Sequence, residues 1–225
     1  MTVHLQNEMQ AIKERILTQA SLVERNLSLA IRAVEQRSTP PAREVIESDA
    51  AVDKAEVSIE EECLKLLALY QPVAIDLRTI ITVLKINNDL ERVGDLAVNI
   101  AERALYLADT TPVSPAVDFG PMARIAKEML RKSLDAMAQF SAAMAHEVCR
   151  MDDSVDEMNR AMYHTVRTAL NSAPQDIDTW LSLLTVSRCL ERVADLATNV
   201  AEDIIYLIDG RIIRHIPDIQ DGKNT

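Results

Sequence analysis

The feature that most constrains this chain is an internal repeat. Segments 88–107 (NDLERVGDLAVNIAERALYL) and 188–207 (RCLERVADLATNVAEDIIYL) align without a gap at a shift of 100 residues, with 12 identities in 20 positions. That agreement is far above chance for two helices, and duplication of one folding unit is the economical explanation. The unit itself is set by periodicity. Leu5, Met9, Ile12, Ile16, Ala20, Val23, Leu27, Ala30 and Val34 step by three and four, the stripe of a long bundled helix over about 3–37. Thr39-Pro40-Pro41 supplies a cap and first-turn prolines for a second helix running to Tyr70, which Gln71-Pro72 ends.

A third helix is expected from Asp76 to Ala108. Residues 109–121 hold three prolines and a glycine, and form the linker. Beyond it, Met122, Ile125, Met129, Ser133, Ala136, Phe140 and Met144 mark helix four. Helix five covers Met151–Asn171, helix six Asp176–Ile208, and residues 210–225 form a polar tail. The expected fold is all-α, two tandem antiparallel three-helix bundles over 1–108 and 122–209.

Composition agrees. Only 4 Gly, 8 Pro and 3% aromatics in 225 residues are too few turn and strand formers for a β-rich protein. A net charge of −11 and a pI near 4.9 have the wrong sign for wrapping a nucleic-acid backbone, so no nucleic-acid partner is expected. Cys63, Cys149 and Cys189 are odd in number, form no CxxC pair and fall in helices, which suits a reducing cytoplasm better than a disulfide framework. Residues 1–15 are polar and no run reaches about 18 apolar residues, so neither signal peptide nor membrane span is expected and membrane contact is peripheral, through partners.

The chemistry is concentrated in acids. Helix three carries Glu91-x-x-x-Asp95 followed by Asn99 and Glu102, all within about 80° of arc at 3.6 residues per turn. Helix six repeats them as Glu191, Asp195, Asn199 and Glu202. Taken alone, such a face is most simply a solvated one. A second pair changes the weighing, because helix two carries Asp49-x-x-x-Asp53 and helix five Asp152-x-x-x-Asp156. In an antiparallel hairpin, residues equidistant from the turn lie level. Asp49 with Asp95, and Asp53 with Glu91, share the midpoint Pro72, whereas Asp152 with Asp195, and Asp156 with Glu191, are centred beside Pro174.

Each half should therefore bring four carboxylates to one level. Four unpaired carboxylates repel unless cations, shared protons or divergent faces relieve them. All-oxygen donors favour Mg²⁺, Mn²⁺, Ca²⁺ or iron over copper or a structural zinc. Met1, Ala143, Ala161 and Ile212 stand three residues before His4, His146, His164 and His215, so the Glu-x-x-His element of a ferritin-like di-iron centre is missing.

The segments YQPVAIDLRTIITVLKINNDLERVGDLAVNIAE and VSRCLERVADLATNVAE closely resemble the two signature repeats of the PhoU family, over nearly the whole chain. The resemblance implies tandem three-helix bundles whose paired E(D)xxxD motifs bind multinuclear metal clusters in some homologues. Here those motifs match Asp49 and Asp53 with Glu91 and Asp95, and Asp152 and Asp156 with Glu191 and Asp195. It further implies a cytoplasmic, homodimeric protein that represses phosphate-starvation signalling by linking a phosphate ABC transporter ATPase to a sensor histidine kinase. The halves depart at Gly94 against Ala194 and at Leu77-Arg78 against Ile177-Asp178, so partner contacts should not be symmetrical.

Catalysis finds little support. Glycines stand only at 94, 120, 210 and 222, so no P-loop or GxGxxG can be assembled. His146 and Cys149 are expected to be structural near a helix end, Cys63, Cys189 and Trp180 to be core, and Arg92 and Arg192 to be ion-pair partners. Met122, Met129, Met137 and Met144 fit gap-filling core. Three classes remain: regulatory adaptor, metal store or metalloenzyme, and structural bundle. Duplicated helical faces without a catalytic motif favour the first, a non-enzymatic adaptor.

Overall fold

The computed structural model describes residues 3–211. Six long helices, α1 (Val3–Gln36), α2 (Thr39–Tyr70), α3 (Ala74–Ala108), α4 (Gly120–Gln139), α5 (Ala142–Ser172) and α6 (Ile177–Asp209), are joined by short turns and one linker, with a 3₁₀ turn at Pro174–Asp176. Helices α1–α3 pack as one bundle and α4–α6 as a second, with α3 and α6 against each other between them. The fold is all-α, two tandem three-helix bundles. No helix among the described residues is long and apolar enough to cross a membrane.

The turns explain how local sequence sets this topology. Arg37 (φ 49°) and Gln71 (φ 45°) adopt the left-handed conformation that closes α1 and α2. Ser38 is extended, and prolines occupy the first turn of α2, where a missing N–H costs nothing. Between α4 and α5 the turn forms at Phe140 (φ 53°), and Ser141 caps α5 by accepting a hydrogen bond from the Met144 N–H at 3.4 Å. This corrects two sequence expectations. Helix four stops at Gln139 rather than reaching Met144, and helix five starts at Ala142 rather than Met151, so His146 and Cys149 lie in the first turns of α5.

The reason is that the repeat register is 103 residues in this region, pairing Arg37-Ser38 with Phe140-Ser141, and the second copy builds the same turn without prolines. The three-residue difference from the shift of 100 is absorbed at the helix ends flanking the α5–α6 connection, which spans residues 173–176 with its 3₁₀ turn against residues 71–73 in the first half. Gly120, expected in the linker, opens α4 instead. Its N–H is capped by Asp118 Oδ1 at 2.9 Å, and Pro121 follows in the first turn. The polar tail lies, apart from Gly210 and Arg211, outside the described residues.

Helix α1 has 34 residues and α4 only 20. The extra turns of α1 lie along α2, where Arg15 donates to Ser58 Oγ at 2.5 Å and Leu5 and Ile12 are buried. In the second half the linker takes that place: Val117 and Phe119 line a groove with Met122, Met158 and Met162. Trp180 is buried as expected, at 1% exposure. Arg37 reaches from the first turn to donate to the carbonyls of Leu107 and Thr110, tying the α1–α2 turn to the chain where α3 ends.

Helices α3 and α6 cross antiparallel. As numbers rise along α3 their partners fall along α6: Arg78 packs at Gly210, Lys85 pairs with Asp203, and the charge of Arg103 reaches Cys189. Because α6 is the repeat of α3, this crossing gives the two halves a pseudo-two-fold relation.

Candidate functional site

Each half presents its four acids along one helical hairpin. On α2 and α3, Asp49 and Glu91 are half-buried while Asp53 and Asp95 are exposed. On α5 and α6, Asp152, Asp156 and Glu191 are half-buried and Asp195 is exposed. The expected pairs are neighbours. Burial pushes the Asp49 carboxyl above its ordinary pKa, with the charges of Asp53 and Asp95 adding to the rise. Glu91 is raised by burial and then by Asp95, Asp53, Glu56 and Asp49.

The second quartet is more strongly perturbed. Asp152 is pushed up to about 6, chiefly by burial, with further contributions from Asp195, Asp156, Asp153 and Glu191. Burial also raises Glu191 and Asp195, reinforced in both by Asp156, while Arg192 opposes the rise. Every pair that the hairpin arithmetic made level is thus coupled in charge: 49 with 95, 53 with 91, 152 with 195 and 156 with 191.

Why the chain brings them together is a matter of helix phase. On α3, Val93, Leu96, Ala97 and Ile100 are buried, which turns Glu91 and Asp95 to the rim of the α2 contact. Gly94 sits at that contact, where an added Cβ would stand 3.2 Å from Val52 Cγ1 and 3.7 Å from Asp49 Oδ1. The glycine lets α2 approach α3 closely beside the first quartet. Position 194, its counterpart in the second half, carries alanine.

The donor set is chemically suited to a hard cation: eight carboxylates, no thiolate or imidazole, partly desolvated and mutually repelling. The side chains do not converge fully, since among the described residues no three Asp, Glu, His or Cys groups stand in coordinating geometry. The quartets are open rims across two helices rather than closed cages. Cys63 and Cys149 are inert by contrast, their thiols pushed up to about 11 by burial. Arg92 pairs with Asp89 at 3.6 Å as expected of it, whereas no hydrogen bond or ion pair holds Arg192 among the described residues.

Sequence reasoning missed the seam between the halves. Lys85 Nζ lies 3.1 Å from Asp203 Oδ1, and a groove of about 480 Å³ there is lined by Lys85, Asn88, Asp89, Arg92, Glu202 and Asp203, among others. The available signal was a change of charge between repeats, with Asp203 standing where the first copy has Arg103 and Thr185 where it has Lys85.

Comparison with known proteins is consistent with this architecture. The PhoU domain model matches residues 16–104 and 120–204, one copy in each half. The chain is 40% identical over 208 residues to a phosphate-specific transport system accessory protein PhoU homolog of Aquifex aeolicus, covering 92% of this chain and 94% of that one. It is 35% identical over 211 residues to the Pseudomonas aeruginosa homolog, covering 93% and 87%. The crystal structure of PhoU from Pseudomonas aeruginosa superposes with a TM-score of 0.88 at 34% identity, covering 92% of this chain and 99% of that one. The phosphate transport system regulatory protein PhoU from Streptococcus pneumoniae gives 0.86 at 27% identity, covering 93% and 99%.

Proposed function

The chain belongs to the PhoU family, and from that premise we propose that it is a negative regulator of phosphate uptake and of the phosphate-starvation response. It works in the cytoplasm, as a homodimeric helical adaptor between a phosphate ABC transporter ATPase and a sensor histidine kinase, and turns over no substrate. The observation that carries this reading is the match of both halves to one domain model in a chain 40% identical to a phosphate-transport accessory homolog.

In this reading the carboxylate quartets are the part that senses or sets the adaptor state. Asp49, Asp53, Glu91 and Asp95 in one half, and Asp152, Asp156, Glu191 and Asp195 in the other, would hold Mg²⁺, Mn²⁺ or iron. A bound cation supplies positive charge that removes the repulsion across each hairpin. The chain's own contribution is to fix α2 against α3 and α5 against α6, so that small rotations of Asp95 or Asp195 open or close each rim. The supporting observation is that burial and then neighbouring acids raise Asp49 and Glu91, with no ion pair to either among the described residues.

The test is deletion of the gene in its native host, read with an alkaline-phosphatase reporter in phosphate-replete medium. High reporter activity that returns to the repressed level on complementation supports the regulator. Unchanged activity on deletion overturns it.

A further inference from the structure

Helices α1 and α4 are counterparts at the register of 103 residues and pack against each other. Between them lies a cavity of about 310 Å³, lined by Glu24 and Ser28 of α1 and by Arg124, Lys127, Glu128 and Arg131 of α4. Its two walls are the same repeat positions: Glu24 corresponds to Lys127 and Ser28 to Arg131, while Arg124 stands where the first copy has Ser21. Divergence has placed the cations on α4. At steps of three and four residues, Arg124, Lys127 and Arg131 share one face of that helix, the face that lines the cavity.

The cations next to this cavity are already engaged elsewhere. Arg25, beside Glu24 in the chain, pairs with Glu44 on α2, and Lys132, beside Arg131, pairs with Glu147 on α5 at 2.7 Å. By contrast, no hydrogen bond or ion pair holds Arg124, Lys127 or Arg131 among the described residues. Glu24 is half-buried in the same wall and has no such partner either. Burial raises its carboxyl above the ordinary range, with Arg131 opposing and Asp135 adding to the rise. In a chain of net charge −11, the cavity therefore gathers three uncommitted cations around a half-buried carboxylate.

We propose that the cavity between α1 and α4 binds inorganic phosphate. Arg124, Lys127 and Arg131 supply charge-assisted donors for its unprotonated oxygens, the arginines as planar forks and the lysine as a point charge. A wall of cations alone would accept any oxyanion. Glu24 makes the site selective, because a carboxylate only accepts hydrogen bonds, and an oxyanion must keep a proton to donate one to it. Phosphate retains a P–O–H at pH 8. Sulfate has none, and a phosphomonoester, whose second pKa lies near about 6, has lost its own. Either would set an acceptor against Glu24 with no proton between them, a repulsion that nothing relieves. The inference goes beyond the regulatory reading and rests neither on it nor on cations at the quartets.

The experiment is calorimetry of the chelator-treated full chain at pH 8 with sodium phosphate, sodium sulfate and phosphoserine in turn, at ionic strength held constant by sodium chloride. Saturable one-to-one binding of phosphate is expected, with sulfate and phosphoserine weaker by about tenfold or more, the worth of one charged hydrogen bond. Arg124→Gln and Arg131→Gln, both at exposed positions, should each weaken phosphate by about tenfold. Lys132→Gln, which removes a cation already paired with Glu147, should leave it unchanged. Glu24→Gln is the test of selectivity: its amide can donate to an unprotonated oxygen, so sulfate should bind this variant about as well as phosphate does. Circular dichroism checks the helicity of each variant. Absence of saturable phosphate binding, equal binding of phosphate and sulfate by the wild type, or wild-type affinity in both arginine variants overturns the proposal.

Discussion

Lys85 on α3 and Asp203 on α6 meet across the seam at 3.1 Å, with the carboxylate almost completely buried and the ammonium side chain 41% exposed. The pair ties the two bundles together and breaks their symmetry, because the equivalent positions hold Thr185 and Arg103. Removing a partner from a buried charge costs more than the pair itself contributes. Lys85→Met should therefore lower stability by about 1–3 kcal/mol, Lys85 being partly solvated. Adding Asp203→Asn should recover most of that loss, as denaturant titration of the two variants would show.

Gly94 separates steric from chemical effects at the first quartet. Alanine there gains about 1 kcal/mol of helix propensity over glycine, while Val52 Cγ1 at 3.2 Å from the new Cβ must yield slightly. Gly94→Ala should fall within about 1 kcal/mol of wild type. Gly94→Val overpacks the contact and should cost about 1–3 kcal/mol. It should also weaken cation uptake at the first quartet while leaving the second unchanged, as calorimetry of single-quartet variants would reveal.

The linker substitutes for the turns that α4 lacks relative to α1. Phe119 is buried at 5% exposure between the linker and the α5 methionines. Phe119→Ala should destabilise the protein by about 3–5 kcal/mol, the range for a buried aromatic truncation. A surface linker would lose far less, so a chemical melt distinguishes the two.

Most of this architecture was legible in the sequence because its signals are local or periodic. The duplication, the 3.6-residue stripes and the prolines at 40, 41 and 72 gave the six helices, and hairpin arithmetic placed Asp49 level with Asp95 and Asp152 level with Asp195. The α4–α5 turn was hidden because Phe140 adopts a left-handed conformation that its side chain does not advertise. The Lys85–Asp203 pair and the contact of Arg37 with the end of α3 were hidden for a different reason. They join residues 118 and 70 positions apart, and no periodicity reports which way two bundles face.

The quartets make stability depend on pH in a definite direction. Asp152 is pushed up to about 6 in the folded chain, chiefly by burial and then by its acidic neighbours, against an unfolded value near about 4. A carboxyl raised on folding binds its proton more tightly in the folded state, so this group favours the folded state increasingly as pH falls from about 7 toward about 4. Asp49, Glu91, Glu191 and Asp195 are shifted in the same sense. Metal-free protein should gain in melting temperature between pH 7 and pH 5, and Asp152→Asn should flatten that rise.

The claim at the centre of this account is that the quartets are specific cation sites rather than an acidic surface, and Asp95→Asn tests it most directly. Without metal the change removes one like charge from a crowded rim and should be neutral or slightly stabilising. With saturating Mn²⁺ or Mg²⁺ the wild type gains RT ln(1 + [L]/Kd), about 2.7 kcal/mol at a hundredfold excess over Kd, and the variant gains less. Thermal melts of both proteins, in chelator and in each cation at matched ionic strength, should show the sign of the mutational effect reverse. Parallel shifts of the two proteins in every condition would contradict the account, leaving eight carboxylates that cations merely screen.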